Sequence, residues 1–411
     1  MTWLNQFDDR LAALDAQTLR RRRREVVPER GARLSVDGES LLAFCSNDYL
    51  GLAQDPLLRE AVHAAVERYG VGSGASPMVS GHSAANAALE RELAEAVGLP
   101  RALYFYAGYA TNASAVPALV GEGDALFSDA LNHACLIDGA RLSKATVHRY
   151  RHADLQQLDA LMTASAAPRK LVISDAVFSM DGDVVDLTAL HALCEKHDAL
   201  LLLDDAHGFG VLGPQGRGAL AAVGLTGARA SPRVLYMATL GKALGVAGAF
   251  VAGPERLVEW LLQKTRSYTY ATAAPALLAE AVRAGLRCVL GADGERRREH
   301  LRARIDQLRE GLAPGADAAI DAAGWSLMPS TTAIQPLVIG DNAAALAVMA
   351  ELREHGLWVP AIRPPTVPAG TARLRIALSA AHQADDIDAL LRALRTAARH
   401  CAGASQTLAE V

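Results

Sequence analysis

The chain has 411 residues, of which 51% are hydrophobic, 21% charged and 5% aromatic, with a formal net charge of −4. At ~100–200 residues per domain, this length predicts two or three units, or one large domain with a smaller one attached, and it supplies a sizeable core. The apolar fraction and the small net charge exclude disorder for most of the chain and any global attraction to nucleic acid.

Residues up to about 27 read as a helix that ends in the basic run at 20–24, with Leu4, Phe7, Leu11, Leu14 and Leu19 forming its apolar stripe. Residues 32–44 form a short β-like patch, with Asp37-Gly38 as a hairpin turn signal. From 46 to 291, apolar runs at 102–106, 170–174, 199–203, 234–238 and 247–252 read as buried strands. Helical stretches at 56–69, 84–97 and 187–197 separate them. This alternation implies βαβ units and a mostly parallel sheet covered on both faces. Residues 292–411 change character: a charged helix at 295–312, a strand-like run at 332–339, a helix at 342–355, a Pro-rich loop at 362–368, a strand at 372–378 and a helix at 384–400. The fold class is therefore α/β. Residues 1–45 form an N-terminal helix and short β segment, 46–291 a large sheet domain and 292–411 a small C-terminal α/β domain.

The five cysteines, Cys45, Cys135, Cys194, Cys288 and Cys401, are odd in number and scattered. They predict reduced thiols and a cytoplasmic protein, and argue against a disulfide framework or a thiolate metal site. The first residues lack a signal peptide's basic and apolar regions. The most apolar stretch, 234–253, carries Lys242 and several glycines, and reads as core rather than a membrane span.

Five segments could carry chemistry. In the first, Leu200 to Leu203 form a buried strand that ends in Asp204-Asp205-Ala206-His207-Gly208. Ligands bind beyond the carboxyl ends of such strands, where a desolvated carboxylate needs a cationic partner such as a protonated ring nitrogen. A helix-capping Asp and a structural His are the plainer alternative. In the second, Thr239-Leu240-Gly241-Lys242 places a lysine in a glycine-flanked turn, where burial would lower its pKa and suit a Schiff-base amine. Across Gly-Lys pairs at large, an ordinary surface lysine is the commoner case. The third, Tyr106-Ala107-Gly108-Tyr109-Ala110-Thr111-Asn112, ends a strand and opens a helix whose free N–H groups could take a phosphate, an ordinary βα turn being the plainer alternative. The fourth, Ser128-Asp129-Ala130-Leu131-Asn132-His133-Ala134-Cys135, centres on His133, and a lone histidine there is more often a packed core residue. In the fifth, Arg373 and Arg375 follow the proline loop and could fork a carboxylate or form an ion pair.

Three matches are rejected. Gly208 to Gly213 fits G-x-G-x-x-G, but Pro214 follows, no helix opens, and no acid lies between Pro214 and Leu235 to hold a ribose. Thr239 to Lys242 only loosely fits S-x-x-K, whose companion motifs are missing. His148 and His152 lack H-E-x-x-H and a third ligand, so a structural role is favoured over a metal, and no metal is expected.

Taken in order, these segments resemble the pyridoxal-phosphate enzymes of fold type I, and most closely the α-oxoamine synthase family. The resemblance runs from Ser46-Asn47-Asp48-Tyr49-Leu50-Gly51 to Arg375 and includes Phe178-Ser179-Met180-Asp181-Gly182-Asp183, Asp204-Asp205-Ala206-His207 and Thr239-Leu240-Gly241-Lys242. It implies a large, mostly parallel sheet domain, a smaller C-terminal domain and pyridoxal 5′-phosphate (PLP) as cofactor. Lys242 would hold the cofactor and act as base at Cα, Asp204 would pair with the ring nitrogen, His207 would bond the phenolic oxygen, and His133 would stack on the ring. Gly108, Tyr109, Ser179 and Thr239 would line the cofactor site, with Tyr270 and Thr272 reaching it from the second subunit of a homodimer.

Arg375 would hold the amino-acid carboxylate beside Asn47, and Arg21, Arg363 and Thr366 would meet the acyl substrate. The loop at 362–368 and the cluster around Arg21 resemble the branch that joins L-alanine to a pimeloyl thioester, carried on CoA or a carrier protein. Glycine or serine with another acyl-CoA, and a non-catalytic PLP-binding regulator, are the alternatives. The first ~45 residues are too short for the DNA-binding unit of such a regulator. No nucleic-acid or membrane partner is expected.

Overall fold

The computed structural model of the chain describes residues 3–17, 19–20 and 22–409, with side chains described to residue 401. Among the described residues, fifteen strands fall into three sheets. An N-terminal sheet holds β1 (Val26–Pro28), β2 (Arg33–Val36) and β3 (Glu39–Ala43). The large sheet holds β4 (Arg101–Phe105), β5 (Ala125–Asp129), β6 (Thr146–Tyr150), β7 (Lys170–Asp175), β8 (Leu200–Asp204), β9 (Val234–Thr239) and β10 (Ala249–Gly253). The C-terminal part contributes β11 (Ser326–Leu327), β12 (Ile334–Gly340), β13 (Leu357–Trp358), β14 (Ala361–Ile362) and β15 (Ala372–Ala377).

The large sheet runs β4-β10-β9-β8-β7-β5-β6. Strand β10 runs antiparallel to β4 and β9 on either side, and the other pairs are parallel. Alternation along β8 explains how both faces are covered. Leu201 and Leu203 enter one core cluster and Leu202 the other, all three fully buried. Each such leucine contributes roughly 1.5–3 kcal/mol on burial. The strands therefore end in polar residues at one edge: Asp129, Asp175, Asp204 and Thr239 stand at the carboxyl ends of β5, β7, β8 and β9.

Local chemistry sets the helix ends. The helix α1 spans Asn5–Ala16. In α2 (Pro56–Tyr69) the Asp55 side chain accepts from the Leu57 N–H and Pro56 occupies the first turn. In α3 (Ala84–Val97) Ser83 caps the start and Gly98 ends it in the left-handed region. The β2–β3 hairpin turns at Asp37 and Gly38, both at positive φ (54° and 87°), as the Asp-Gly signal requires.

The first helix is shorter than the sequence pattern suggests. It stops at Ala16, and Val26–Pro28 pairs as a strand with β2. Its apolar stripe finds no surface within the chain: Leu4, Phe7, Leu11 and Leu14 are 39–70% exposed. Two strands, β5 and β6, were not marked by the apolar runs, and they complete the large sheet on one side. The N-terminal sheet is closed by β13, which pairs parallel with β3 and ties the start of the chain to its C-terminal part. No helix among the described residues is long and apolar enough to cross a membrane.

Candidate active site

The polar ends of β7, β8 and β9 open into a cavity of about 170 Å³. Gly108, Tyr109, His133, Asp204, His207, Thr239 and Lys242 all line it, joined by Cys135, Asp175, Ala206 and Met237. Residues scattered from 108 to 242 thus meet at one place because their strands are neighbours in register. Asp175 lies opposite Asp204, and Asp204 opposite Met237.

Asp204 is 4% exposed and held on both oxygens. Its Oδ1 accepts the Ala206 N–H at 2.9 Å and its Oδ2 accepts the Asn112 amide at 2.6 Å. Asn112 is fully buried, also donates to Cys135 Sγ at 3.3 Å, and leaves its Oδ1 without a partner. Asp175 accepts the His133 main-chain N–H at 2.6 Å. Burial first, and then the neighbouring Asp204, raise the Asp175 carboxyl well above its ordinary value.

Lys242 sits in the turn after β9, with its Nζ 2.7 Å from His207 Nε2. Loss of water around the amine pulls it down from 10.5 to about 8, against the pull of Asp204 and Asp175 in the other direction. Burial, followed by the Lys242 charge, holds the His207 imidazole well below its usual value. On the far side of this ring, Nδ1 lies 2.6 Å from the Tyr49 hydroxyl. His133 caps the helix α5 (Ala134–Ser143), and its Nδ1 lies 2.9 Å from Cys135 Sγ.

The helix α4 (Gly108–Leu119) begins at the cavity with no side-chain cap, so its first N–H groups face the opening. A Cβ at Gly108 would meet Met237 Cε at 3.2 Å and Thr239 Oγ1 at 3.7 Å, so the helix start packs closely on the end of β9. Tyr109 is 51% exposed and donates its hydroxyl to Asp138.

These groups fit PLP. An uncapped helix start suits its phosphate, a buried carboxylate at the sheet edge suits its ring nitrogen, a low-pKa amine suits its aldehyde, and Asn112 keeps one buried acceptor unused.

A second layer surrounds the cavity. Arg375, 7% exposed, donates from Nε to the Ser179 carbonyl at 2.6 Å and from Nη2 to Asn47 Oδ1 at 3.4 Å. This brings Asn47, Ser179 and Arg375 together. Arg373 does not share that role, because its guanidinium is spent on a buried ion pair with Asp181. The loop carrying Ser179 is further clamped by Ser330 and Thr332, whose hydroxyls donate to the Gly182 carbonyl at 2.8 and 3.0 Å.

His152 bridges Asp129 and Asp183 at 3.0 and 2.9 Å. Burial lowers its pKa, but the two carboxylates outweigh this and raise it to about 10. The one grouping of metal-capable atoms among the described residues, His152 with Asp181 and Asp183, is thus occupied by ion pairs with Asp129 and Arg373.

Four expected residues stand apart from the cavity. Tyr270 is 73% exposed, under the Arg266 guanidinium, and Thr272 is also exposed. Arg363 and Thr366 lie on the proline loop, with the Thr366 N–H bonded to the Arg363 carbonyl. Arg21 lies outside the described residues. Sequence reasoning assigned no role to Tyr49, Asn112, Cys135 or Asp175, although the first three fall within segments it singled out. For Asp175, the available signal was an acid at the end of a strand beside β8.

Residues 39–394 match the family model for aminotransferase class I and II. The chain is 69% identical over 393 residues to the 8-amino-7-oxononanoate synthase of Paracidovorax citrulli, covering 96% of this chain and 94% of that one. It is 68% identical over 398 residues to 8-amino-7-oxononanoate synthase 1 of a Polaromonas species, covering 97% of each. Among solved structures, a serine palmitoyltransferase of Sphingomonas wittichii superposes with a TM-score of 0.88 at 28% identity, over 98% of this chain and 99% of that one. A further structure, solved with PLP, superposes at 0.86 and 28% identity, over 98% and 99%. The 8-amino-7-oxononanoate synthase of Francisella tularensis superposes at 0.72 and 28%, over 88% and 97%. With these matches and this cavity, the chain belongs to the class I and II aminotransferase family and, within it, to the 8-amino-7-oxononanoate synthases.

Proposed function

We propose that the chain joins L-alanine to a pimeloyl thioester, releasing CO2 and the free thiol and giving 8-amino-7-oxononanoate, the first step in assembling the biotin ring. The near-full-length identity of 69% to a synthase of that name carries the reading. The serine palmitoyltransferase likeness is closer in shape, but at 28% identity it speaks to the shared scaffold rather than the substrate.

PLP bound in the cavity supplies an aldehyde for an amine and a ring that draws electron density from Cα. The chain's residues do the rest. Asp204, fixed on both oxygens, holds a proton on the ring nitrogen. The His133 ring would stack on the cofactor, and His207 would bond its phenolic oxygen. Gly108, Tyr109 and Thr239 would border the phosphate, with Ser179 beside the cavity on the segment that holds Arg375.

Arg375 takes the alanine carboxylate beside Asn47, with each charge-assisted bond contributing roughly 1.5–3 kcal/mol. Lys242, with an amine near pH 8, removes the Cα proton and returns one later. Arg21, Arg363 and Thr366 meet the acyl chain. Tyr270 and Thr272, exposed and outside the cavity of a single chain, serve the site of a second copy in a homodimer. The protein works in the cytoplasm.

Thiol release from pimeloyl-CoA with L-alanine tests the reading. Turnover of that pair, with glycine and serine poor in its place, supports it. Turnover of glycine with succinyl-CoA, and none of alanine with a pimeloyl thioester, refutes it.

A further inference from the structure

Behind the cavity, a line of hydrogen-bonding side chains connects the carboxylate-binding arginine to the lysine. Arg375 Nη2 lies 3.4 Å from Asn47 Oδ1, and the Tyr49 hydroxyl lies 3.2 Å from the same oxygen. That hydroxyl is 2.6 Å from His207 Nδ1, and His207 Nε2 is 2.7 Å from Lys242 Nζ. Tyr49 is fully buried, and its partner on this line is 158 residues away in the sequence. Nothing in its packing requires a hydroxyl. A phenylalanine would fill the same core, and the polar atom would be costly there without a partner.

The proton count makes the hydroxyl informative. The His207 ring, faced by Tyr49 and Lys242 with Arg375 and His133 nearby, is held neutral by burial. A neutral imidazole carries one N–H, and the partner of one nitrogen decides what the other offers. Burial also pushes the Tyr49 phenol up to about 12, so it keeps its single proton. That proton has two acceptors within reach, Nδ1 and Asn47 Oδ1. The nearer is Nδ1, and Asn47 Oδ1 already receives Arg375.

We propose that Tyr49 is a positioning residue that donates to His207 Nδ1 and so fixes, once the Lys242 amine is neutral or bonded to the cofactor, the tautomer whose Nε2–H points into the cavity. Without the hydroxyl, Nδ1 loses its donor, and the ring can present a lone pair to the cavity instead of a proton. The inference rests on the proposed function only for what His207 meets in the cavity. The tautomer itself belongs to the chain, so it can fail while the synthase reading stands.

The test uses the full chain and Tyr49→Phe. In the cofactor-free protein labelled with 15N-histidine, the His207 signals, identified by their loss in His207→Gln, report which nitrogen is protonated. At pH 9, where the Lys242 amine is neutral and can accept, wild type is expected to show a protonated Nε2 and a bare Nδ1, and Tyr49→Phe to lose that preference. With PLP loaded, Tyr49→Phe is expected to shift the pH titration of the visible band by about one unit. It should also lower kcat about tenfold or more while KM for alanine moves little. A wild-type ring protonated on Nδ1, or a variant with the wild-type tautomer and titration, overturns the proposal. Should Tyr49→Phe not fold, the wild-type tautomer alone decides.

Discussion

Lys242 owes its chemistry to where it is held rather than to what it is. In water, a lysine near 10.4 is almost wholly charged at neutral pH and a poor nucleophile. In this turn, desolvation outweighs the nearby Asp204 and Asp175 and brings the amine to about 8. The sign sets a measurable pH dependence. Capture of PLP by the cofactor-free chain needs the neutral amine, so its rate should rise about tenfold per pH unit below 8 and level off above it. Stopped-flow absorbance reads this directly, and a rate still climbing past pH 9 would mean an unperturbed lysine. At this scale, much of the site was legible in the sequence. Lys242, Asp204, His207 and Gly108 stand at strand ends or turns, where local pattern marks them. Tyr49 and Asp175 did not announce themselves, because their partners are set by tertiary packing. Arg373 takes the ion-pair alternative that its sequence context left open, with a partner, Asp181, 192 residues away.

Among the elements, the segment at 178–183 does the most positioning. Its Ser179 carbonyl aims Arg375, its Asp181 holds Arg373, its Gly182 carbonyl takes two hydroxyls from the C-terminal part, and its Asp183 holds His152. Gly182 permits this closeness. Its φ is +73°, and a Cβ would fall 2.4 Å from the Ile334 carbonyl and 2.5 Å from Ser330 Oγ. Gly182→Ala should therefore cost roughly 1–3 kcal/mol in urea unfolding. It should also raise KM for alanine through a displaced Arg375. Unchanged values of both would show that the segment is not a support for the carboxylate site.

The elements themselves were read unevenly. Helices α2 and α3 carry caps and a stop signal, and their bounds match the pattern. Strand β6 escaped because it is an edge strand, mostly exposed and bearing His148 and Arg149. Strand β5 escaped because its apolar run is only three residues before Ser128 and Asp129, too short to stand out. The first helix was overextended because its leucine stripe has the right period but no surface to pack on within the chain.

For the whole molecule, the sheet order decides the function. Interleaving β7, β8 and β9 in parallel puts their polar ends together and lets the turn after β9 return Lys242 over Asp204. The N-terminal strands and β13 form one sheet, so the loop carrying Asn47 and Tyr49 is anchored to the part that supplies Arg375. Hence the loop carrying Asn47 and Tyr49 and the C-terminal part meet beside a cavity whose walls come from residues 108–242. The central claim is that this cavity holds PLP with Lys242 as its single covalent anchor. Borohydride reduction of the PLP-loaded protein, followed by peptide mapping, tests it most directly. The label should fall on Lys242 alone, with no covalent label on Lys242→Ala. A label on another lysine, or one retained by Lys242→Ala, would contradict it.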